Sequence, residues 1–317
     1  MPEPAVQVLD RLDPDQQREV RDLVAVATDV DRVSPVSEAV LLHLGHGGAG
    51  RTRDLLAVDP DGAVLGYAYL DLSDPDGGPA AELVVHPRGR RRGVGSALLD
   101  GVEAASPDGR PRLWAHGRHP GAIALAASRG YAAQRILYQL RRSLLVPLPE
   151  LVLPAGLRLR PFVVGADEAA WLAVNSRAFA NHPEQGRWTL DDLRIREAEP
   201  WFDPAGFLLA VRAADGALAG FHWTKIHRDH PSQALDTRPA GTPESVGEVY
   251  VLGVDPSAQG LGLGPALTVA GLRYLAGQGL PAVILYVDES NAGAVRLYTR
   301  LGFTESNVDV QYQRSRA

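Results

Sequence analysis

The sequence predicts an α+β protein built from two copies of one unit, each a mixed sheet flanked by helices. Three observations predict it. Pro147, Pro149 and Pro154 crowd the middle of the 317-residue chain, which suits an extended connector rather than a helix. The segments on either side carry the same landmarks in the same order, the mark of an internal duplication. Each half also mixes strand-like runs, Asp-Gly turns and helical periodicity. The expected division is a first domain over 1–146, a linker over 147–156 and a second domain over 157–317.

The elements follow in order within each half. Residues 6–9 and 157–162 read as opening strands, and 15–30 and 167–180 as first helices. Strand-turn-strand units follow at 55–70 and 207–224, with Asp61-Gly62 and Asp215-Gly216 as hairpin turns. Segments 71–80 and 228–247 are rich in turn residues and read as loops. Then come Leu83-Val84-Val85-His86-Pro87 and Leu252-Gly253-Val254-Asp255-Pro256. Gly253 inside its strand suggests a bulge or a close backbone approach. The Gly-rich elements are Arg90-Arg91-Arg92-Gly93-Val94-Gly95-Ser96 and Gln259-Gly260-Leu261-Gly262-Leu263-Gly264-Pro265. Val94, Leu98 and Val102, and Leu263, Leu267, Ala270 and Tyr274, then recur at helical spacing. Short apolar runs follow at 113–115 and 283–287. Each half then shows a small-residue helix ending in Gly130-Tyr131 or Gly302-Phe303.

Composition excludes several classes of function. The chain has no cysteine, so disulfide scaffolds, thiolate metal sites and cysteine nucleophiles are out. The nine histidines form no convincing metal set. No apolar run approaches the ~20 residues that span a membrane, and no secretory leader is visible. A cytoplasmic monomer is expected. The net charge of −6 argues against nucleic acid, despite the basic run Arg88 to Arg92.

A strand, then a Gly-rich turn, then a helix presents backbone N–H groups and the positive helix end to a pyrophosphate. Alone, such a match is more often a plain strand-to-helix turn; here it occurs twice, in register with other features. A Walker A loop is excluded because Lys225, the only lysine, lies far from either loop. A dinucleotide fingerprint is excluded because the third glycine is missing after Gly262 and Gly264.

These elements resemble the coenzyme-A-binding motif of the GNAT acyltransferase superfamily. The run Asn291-Ala292-Gly293-Ala294-Val295-Arg296, continuing through Tyr298 to Gly302-Phe303, resembles its other signature. Two units in one chain, with His182-Pro183-Glu184-Gln185 and Gly247-Glu248-Val249-Tyr250-Val251, resemble a tandem branch of that superfamily. The resemblance implies two GNAT domains with splayed sheets, acetyl-CoA as co-substrate and no metal. It implies that the pantetheine arm adds alongside Leu252, Gly253 and Val254, and alongside Leu83, Val84 and Val85. It also implies an amine acceptor, the cysteinyl amine of a cysteinyl-glucosaminyl-inositol. The matching acceptor positions are Glu38, Glu184, Lys225, Glu248 and Tyr286.

Aligning the halves at Asn291 and His119 sets Tyr298 opposite Ala126. Aligning them at Asp255 and His86 sets Glu248 opposite Pro79. The second half thus holds a candidate base, Glu248, and a candidate acid, Tyr298, which the first lacks. The first half is expected to bind CoA without catalysing transfer. Without the resemblance, Glu248 is also an ordinary strand-edge residue, Tyr298 also core packing, and Glu38 and Glu184 also solvated loop charges. A transferase acting on another small amine or a peptide N-terminus, and a non-catalytic acyl-CoA sensor, are the competing readings.

Overall fold

The computed structural model describes residues 5–46, 51–75, 77–180, 182, 185–230 and 244–314. The first half runs β1 (Ala5–Leu9), α1 (Pro14–Asp31), α2 (Glu38–His46), β2 (Thr52–Val58), β3 (Val64–Asp71) and β4 (Ala80–Val85). It continues with α3 (Val94–Ala105), β5 (Arg112–Ala115), α4 (Pro120–Ser128) and β6 (Tyr131–Ser143). The second half repeats this order with β7 (Leu157–Pro161), α5 (Glu168–Ala178), α6 (Leu190–Glu197), β8 (Phe207–Arg212), β9 (Leu218–His230) and β10 (Glu244–Val254). It ends with α7 (Leu263–Gly277), β11 (Ala282–Asp288), α8 (Ala292–Arg300) and β12 (Thr304–Arg314).

Local chemistry sets these boundaries. Asp13 caps α1 by accepting from the N–H groups of Asp15 and Gln16, while the Gln16 side chain accepts from the Asp13 N–H. Pro14 takes the first turn, where no intrahelical donor is lost. His119 and Asn291 cap α4 and α8, each accepting from a first-turn N–H. His86 and Asp255 each cap a short 3₁₀ turn, accepting from Arg88 and Ser257. The landmark pairs of the sequence are therefore equivalent structural positions. Gly66 and Gly220 match as well: each pairs with the last residue of the neighbouring strand, Val85 or Val254. A Cβ at either would lie within 3.1 Å of the following helix's leucine side chains.

The twelve strands of the described residues form one sheet in the order β1-β2-β3-β4-β5-β12-β6-β11-β10-β9-β8-β7. The halves exchange their last strands. β12, the end of the second half, pairs with β5 and β6, while β6 pairs with β11. Leu140 of β6 and Leu144 just beyond its end consequently belong to the core around Tyr298, and Tyr312 of β12 packs against the first-half core. The expected mixed sheet flanked by helices is what the fold shows. One expected detail differs, and one expected alternative is resolved. The loop expected at 228–247 is partly strand, because Glu244 and His230 still pair at the ends of β10 and β9; residues 231–243 lie outside the described residues. The β9–β10 register shifts lie between Glu244 and Val246 and between Val249 and Val251, so of the two readings of Gly253 the bulge falls away. Gly253 is instead needed for close approach, since a Cβ there would sit 2.7 Å from the Phe221 ring.

Candidate active site

In each half the parallel strand pair separates partway along. β4 pairs with β5 only over Ala80–Glu82, and β10 with β11 only over Gly247–Val249. Leu83–Val85 and Val251–Val254 keep their antiparallel neighbours but have no parallel partner. Each stretch therefore offers a row of main-chain donors and acceptors to an extended ligand.

The Gly-rich loops follow at once and share one backbone path. Arg91 and Gly260 are left-handed (φ 60° and 78°), as are Gly93 and Gly262 (φ 86° and 82°). Arg91 adopts this conformation at a cost that Gly260 avoids. Gly93 and Gly262 are the N-caps of α3 and α7, and neither supplies a capping side chain. The first-turn N–H groups are left for an anion. Arg90 and Gln259 play the same bracing role, donating from Nε and Nε2 to the carbonyls of Val85 and Val254. Arg90 also forms a bidentate pair with Asp31, at 2.7 and 2.6 Å. Arg92 and Leu261 lie on the same loops, with Leu261 exposed, and Ser96 is in the first turn of α3. Pro265 is the third residue of α7 rather than the first, still within the turn where its missing N–H breaks no helical bond.

A cavity of about 1210 Å³ opens in the first half. Leu83, Val84, Val85, Arg90, Gly93 and Gly95 line it, and Asn307 and Tyr312 of the exchanged β12 close one wall. Its size suits a ligand as large as CoA. The candidate reacting side chains lie in the other half, so cavity volume does not locate the chemistry.

Those side chains occupy two faces of the β10–β11 opening. Tyr298 packs in the same core as Val249 and Leu285. Alternation along the strands puts Glu248, Ile284 and Tyr286 on the opposite face. Burial pushes the Tyr298 phenol up to about 12. Asn291, Gly293, Val295 and Arg296 form the start of α8, which carries Tyr298. Ala292 and Ala294 leave that first turn uncrowded, and Ala294 donates its N–H to the Asn291 cap.

On the second face Glu248 is buried and stands opposite Lys225 on β9. Its Oε2 lies 2.5 Å from Nε2 of His227. Lys225 contacts Glu38, which reaches across from α2 of the first half, and lies 4.5 Å from the Trp201 ring centroid. The Tyr250 phenol is raised well above its ordinary value by burial and by Glu38, against the opposing pull of Arg196. Tyr286 donates no proton readily either: burial, then the charges of Glu248 and Asp309, raise it. Yet 43% of Tyr286 is accessible. The two facts agree if the ring stands in a cleft, reached by water but ringed by protein. Gln139 of β6 donates to its hydroxyl at 2.7 Å.

Glu38, Lys225, Glu248 and Tyr286 are thus gathered from α2, β9, β10 and β11. Glu184 lies outside the described residues, though its neighbours His182 and Gln185 are described, joined by a Gln185 N–H to His182 Nδ1 bond of 3.2 Å. Trp223 is fully buried and fills the core with Phe207, ring centroids 4.4 Å apart. His222 is also structural. Burial lowers it to about 4, and its Nδ1 bonds the Leu267 carbonyl at 2.7 Å. Among the described residues no group of three or more His, Asp or Glu could hold a metal ion.

Aligning the halves at Asp255 and His86 does not point to Glu82 of the first half. Glu82 lies on the face corresponding to Glu248, but it is closed in. Ser37 donates to it from N and Oγ, at 2.6 and 2.7 Å, and His116 Nε2 lies 3.1 Å away. His116 Nδ1 meets Asp309 of β12 at 3.0 Å. Burial alone would lower His116, but Glu82 and Asp309 outweigh it and lift the imidazole to about 10. The only sequence signal was a lone acidic residue within Ala80-Ala81-Glu82-Leu83.

A duplicated splayed sheet with a Gly-rich loop at the start of each central helix is the architecture of an acyltransferase fold, and the sequence profile of the Acetyltransferase (GNAT) family matches residues 36–131 and 171–303. The chain belongs to the GNAT acetyltransferase family. It is 53% identical to the mycothiol acetyltransferase of Acidothermus cellulolyticus, over 96% of this chain and 93% of that one. It is also 53% identical to the mycothiol acetyltransferase of Thermomonospora curvata, over 99% and 98%. Among solved structures, a GCN5-related N-acetyltransferase from Sphaerobacter thermophilus is 25% identical with a TM-score of 0.66, covering 98% of this chain and 95% of that one. A tandem GNAT protein from the clavulanic acid biosynthesis pathway, 21% identical over 99% and 100% with a TM-score of 0.68, shares the fold.

Proposed function

We propose that the protein transfers acetyl from acetyl-CoA to the cysteinyl amine of a cysteinyl-glucosaminyl-inositol, the last step of mycothiol formation. The observation that carries this reading is the junction at the β10–β11 opening. A buried carboxylate lies on one face beside the partly exposed Tyr286, a buried phenol lies on the other, and Glu38 of the first half contacts Lys225 on the carboxylate's face. Acyl-CoA enters along Leu252–Val254 with its pyrophosphate on the loop Gln259 to Gly264. The acceptor enters from the opposite face.

An α-amino group has a reference pKa of ~8 and is largely ammonium at neutral pH. Glu248 removes its proton, and the free amine attacks the thioester directly in a ternary complex. A main-chain N–H of the unpaired β10 stretch stabilises the carbonyl oxygen as it gains charge. Tyr298 donates to the departing sulfur. Burial makes it a weak acid, but the same burial raises the thiolate, so donor and acceptor stay matched. Lys225, Glu38, Tyr286 and Glu184 orient the acceptor through its hydroxyls and amine.

The first half serves as an acyl-CoA-binding support. Ala126 stands where a Tyr298 equivalent would, and Glu82, the nearest carboxylate to a base, is held by Ser37 and His116. Turnover with acetyl-CoA and a panel of amines tests the proposal. The pseudodisaccharide should be the preferred acceptor. Glu248→Gln should lower its turnover by roughly 10²–10⁴, partly relieved at higher pH. Equal turnover of simple amines, or an active Glu248→Gln, would redirect the assignment.

A further inference from the structure

Acetylation of an ammonium leaves one proton to be exported. The nitrogen begins with three protons and keeps one in the amide. As the C–N bond forms and the C–S bond breaks, one proton ends on the CoA thiol. The other passes through the base to solvent. Glu248 is poorly placed to release it alone, because its side chain is only 8% exposed.

We propose that His227 is the proton outlet of the active site. This rests on the reading of Glu248 as the base. Glu248 sits opposite Lys225 in the β9–β10 ladder, and His227 is two residues further along β9, on the same face. That diagonal brings His227 Nε2 to 2.5 Å from Glu248 Oε2. The imidazole side chain is 26% exposed, three times as open as the carboxylate it touches. A proton taken by Glu248 crosses one hydrogen bond to His227 and leaves from the outer ring nitrogen to water or buffer. Imidazole suits the task because it accepts at one nitrogen while releasing from the other near neutral pH.

The other charged and titratable groups on this face are otherwise placed. Lys225 contacts Glu38 and the Trp201 and Tyr250 rings. Tyr286 is bonded by Gln139 and raised by burial, which suits it to orient rather than to relay. Tyr250 is raised likewise and bonded by Arg196 at 2.8 Å. Arg141 of β6 lies in the same cross-sheet row, beyond Ile284, and Asp309 acts on this face through Tyr286. Arginine does not give up a proton in the working range. Among the described residues, His227 is the titratable ring that joins the buried base to the surface.

The test uses the full chain with acetyl-CoA and the cysteinyl pseudodisaccharide. His227→Ala and His227→Gln should each lower kcat by at least about tenfold, short of the ~10²–10⁴ loss of a direct base. KM for acetyl-CoA should stay within twofold of the parent, a bound set by ordinary kinetic scatter. Turnover of both variants should become dependent on buffer concentration, and imidazole should restore much of the His227→Ala rate. His227→Gln keeps a donor to Glu248 and so preserves the local packing without shuttling. Parent-like kcat and pH profile in both variants would overturn the relay. So would a loss that neither imidazole nor buffer relieves, which would make His227 a mere holder of Glu248. An active Glu248→Gln would instead overturn the underlying assignment of the base.

Discussion

Replacing His116 by Ala should cost the fold about 3–5 kcal/mol at pH 6.5, because it strips a buried imidazolium from two carboxylates. Glu82 lies 3.1 Å from one ring nitrogen and Asp309 3.0 Å from the other. The rise from 6.5 to about 10 sets the ceiling. At about 1.4 kcal/mol per pH unit it allows roughly 5 kcal/mol. The loss should fall below that ceiling, since Ser37 still donates twice to Glu82 and the Gly117 N–H still donates to Asp309. The sign with pH follows from the direction. A folded value above the unfolded one binds the proton more tightly in the native state. The contribution is therefore complete below about 6.5, shrinks as pH rises and is gone above about 10. Urea unfolding from pH 6.5 to 10 should show the parent losing this increment steadily, with the His116→Ala curve approaching it at the alkaline end. A variant within 1 kcal/mol of the parent at pH 6.5, or a gap that widens with pH, would refute the ionised clamp.

Tyr298→Phe should lower kcat by roughly 10²-fold or more with CoA affinity nearly unchanged, as for loss of a general acid; steady-state kinetics beside CoA titration calorimetry separates the two. With the phenol at about 12, the parent pH profile should show no loss from Tyr298 ionisation below pH 10. Glu38→Gln should raise KM for the acceptor by about tenfold or more, the worth of one charge-assisted contact, and leave acetyl-CoA binding intact. An unchanged acceptor KM would remove the first half from the acceptor cleft.

Features set by local chemistry were legible in the sequence. The caps at His86, Asp255, His119 and Asn291 depend on one side chain and the next two or three N–H groups, so aligned landmarks predicted equivalent positions. The loops at Gly93 and Gly262 were legible because their left-handed conformation favours glycine. What depends on distant pairing was not. Nothing in the alternation of β6 or β12 names its partner strand, so the exchange of last strands stayed hidden. The helix α2 was missed although it presents Glu38. The contact of His227 with Glu248 needs the β9–β10 register, and the reason for Gly253 lies in the Phe221 ring opposite. Glu82 is not legible from the aligned halves, because the position seven residues before His86 that matches Glu248 is Pro79. Three places further along, the same strand carries a carboxylate whose burial depends on Ser37, His116 and Asp309.

The division of labour between the halves stands on a pair of matched substitutions, Gly95→Asp and Gly264→Asp. A Cβ at Gly95 would meet Leu125 and Val85 at 3.5 and 3.6 Å, and one at Gly264 would meet Val254 at 4.0 Å, so both chains should fold. An added carboxylate in the first helical turn is tolerated by the helix but opposes a bound phosphate. Turnover and bound CoA should be measured together on each. Gly95→Asp should keep most of its kcat while losing one CoA, and Gly264→Asp should lose activity while still binding one. A folded Gly95→Asp chain without turnover, or a Gly264→Asp chain at full rate, would contradict transfer at Glu248 and Tyr298.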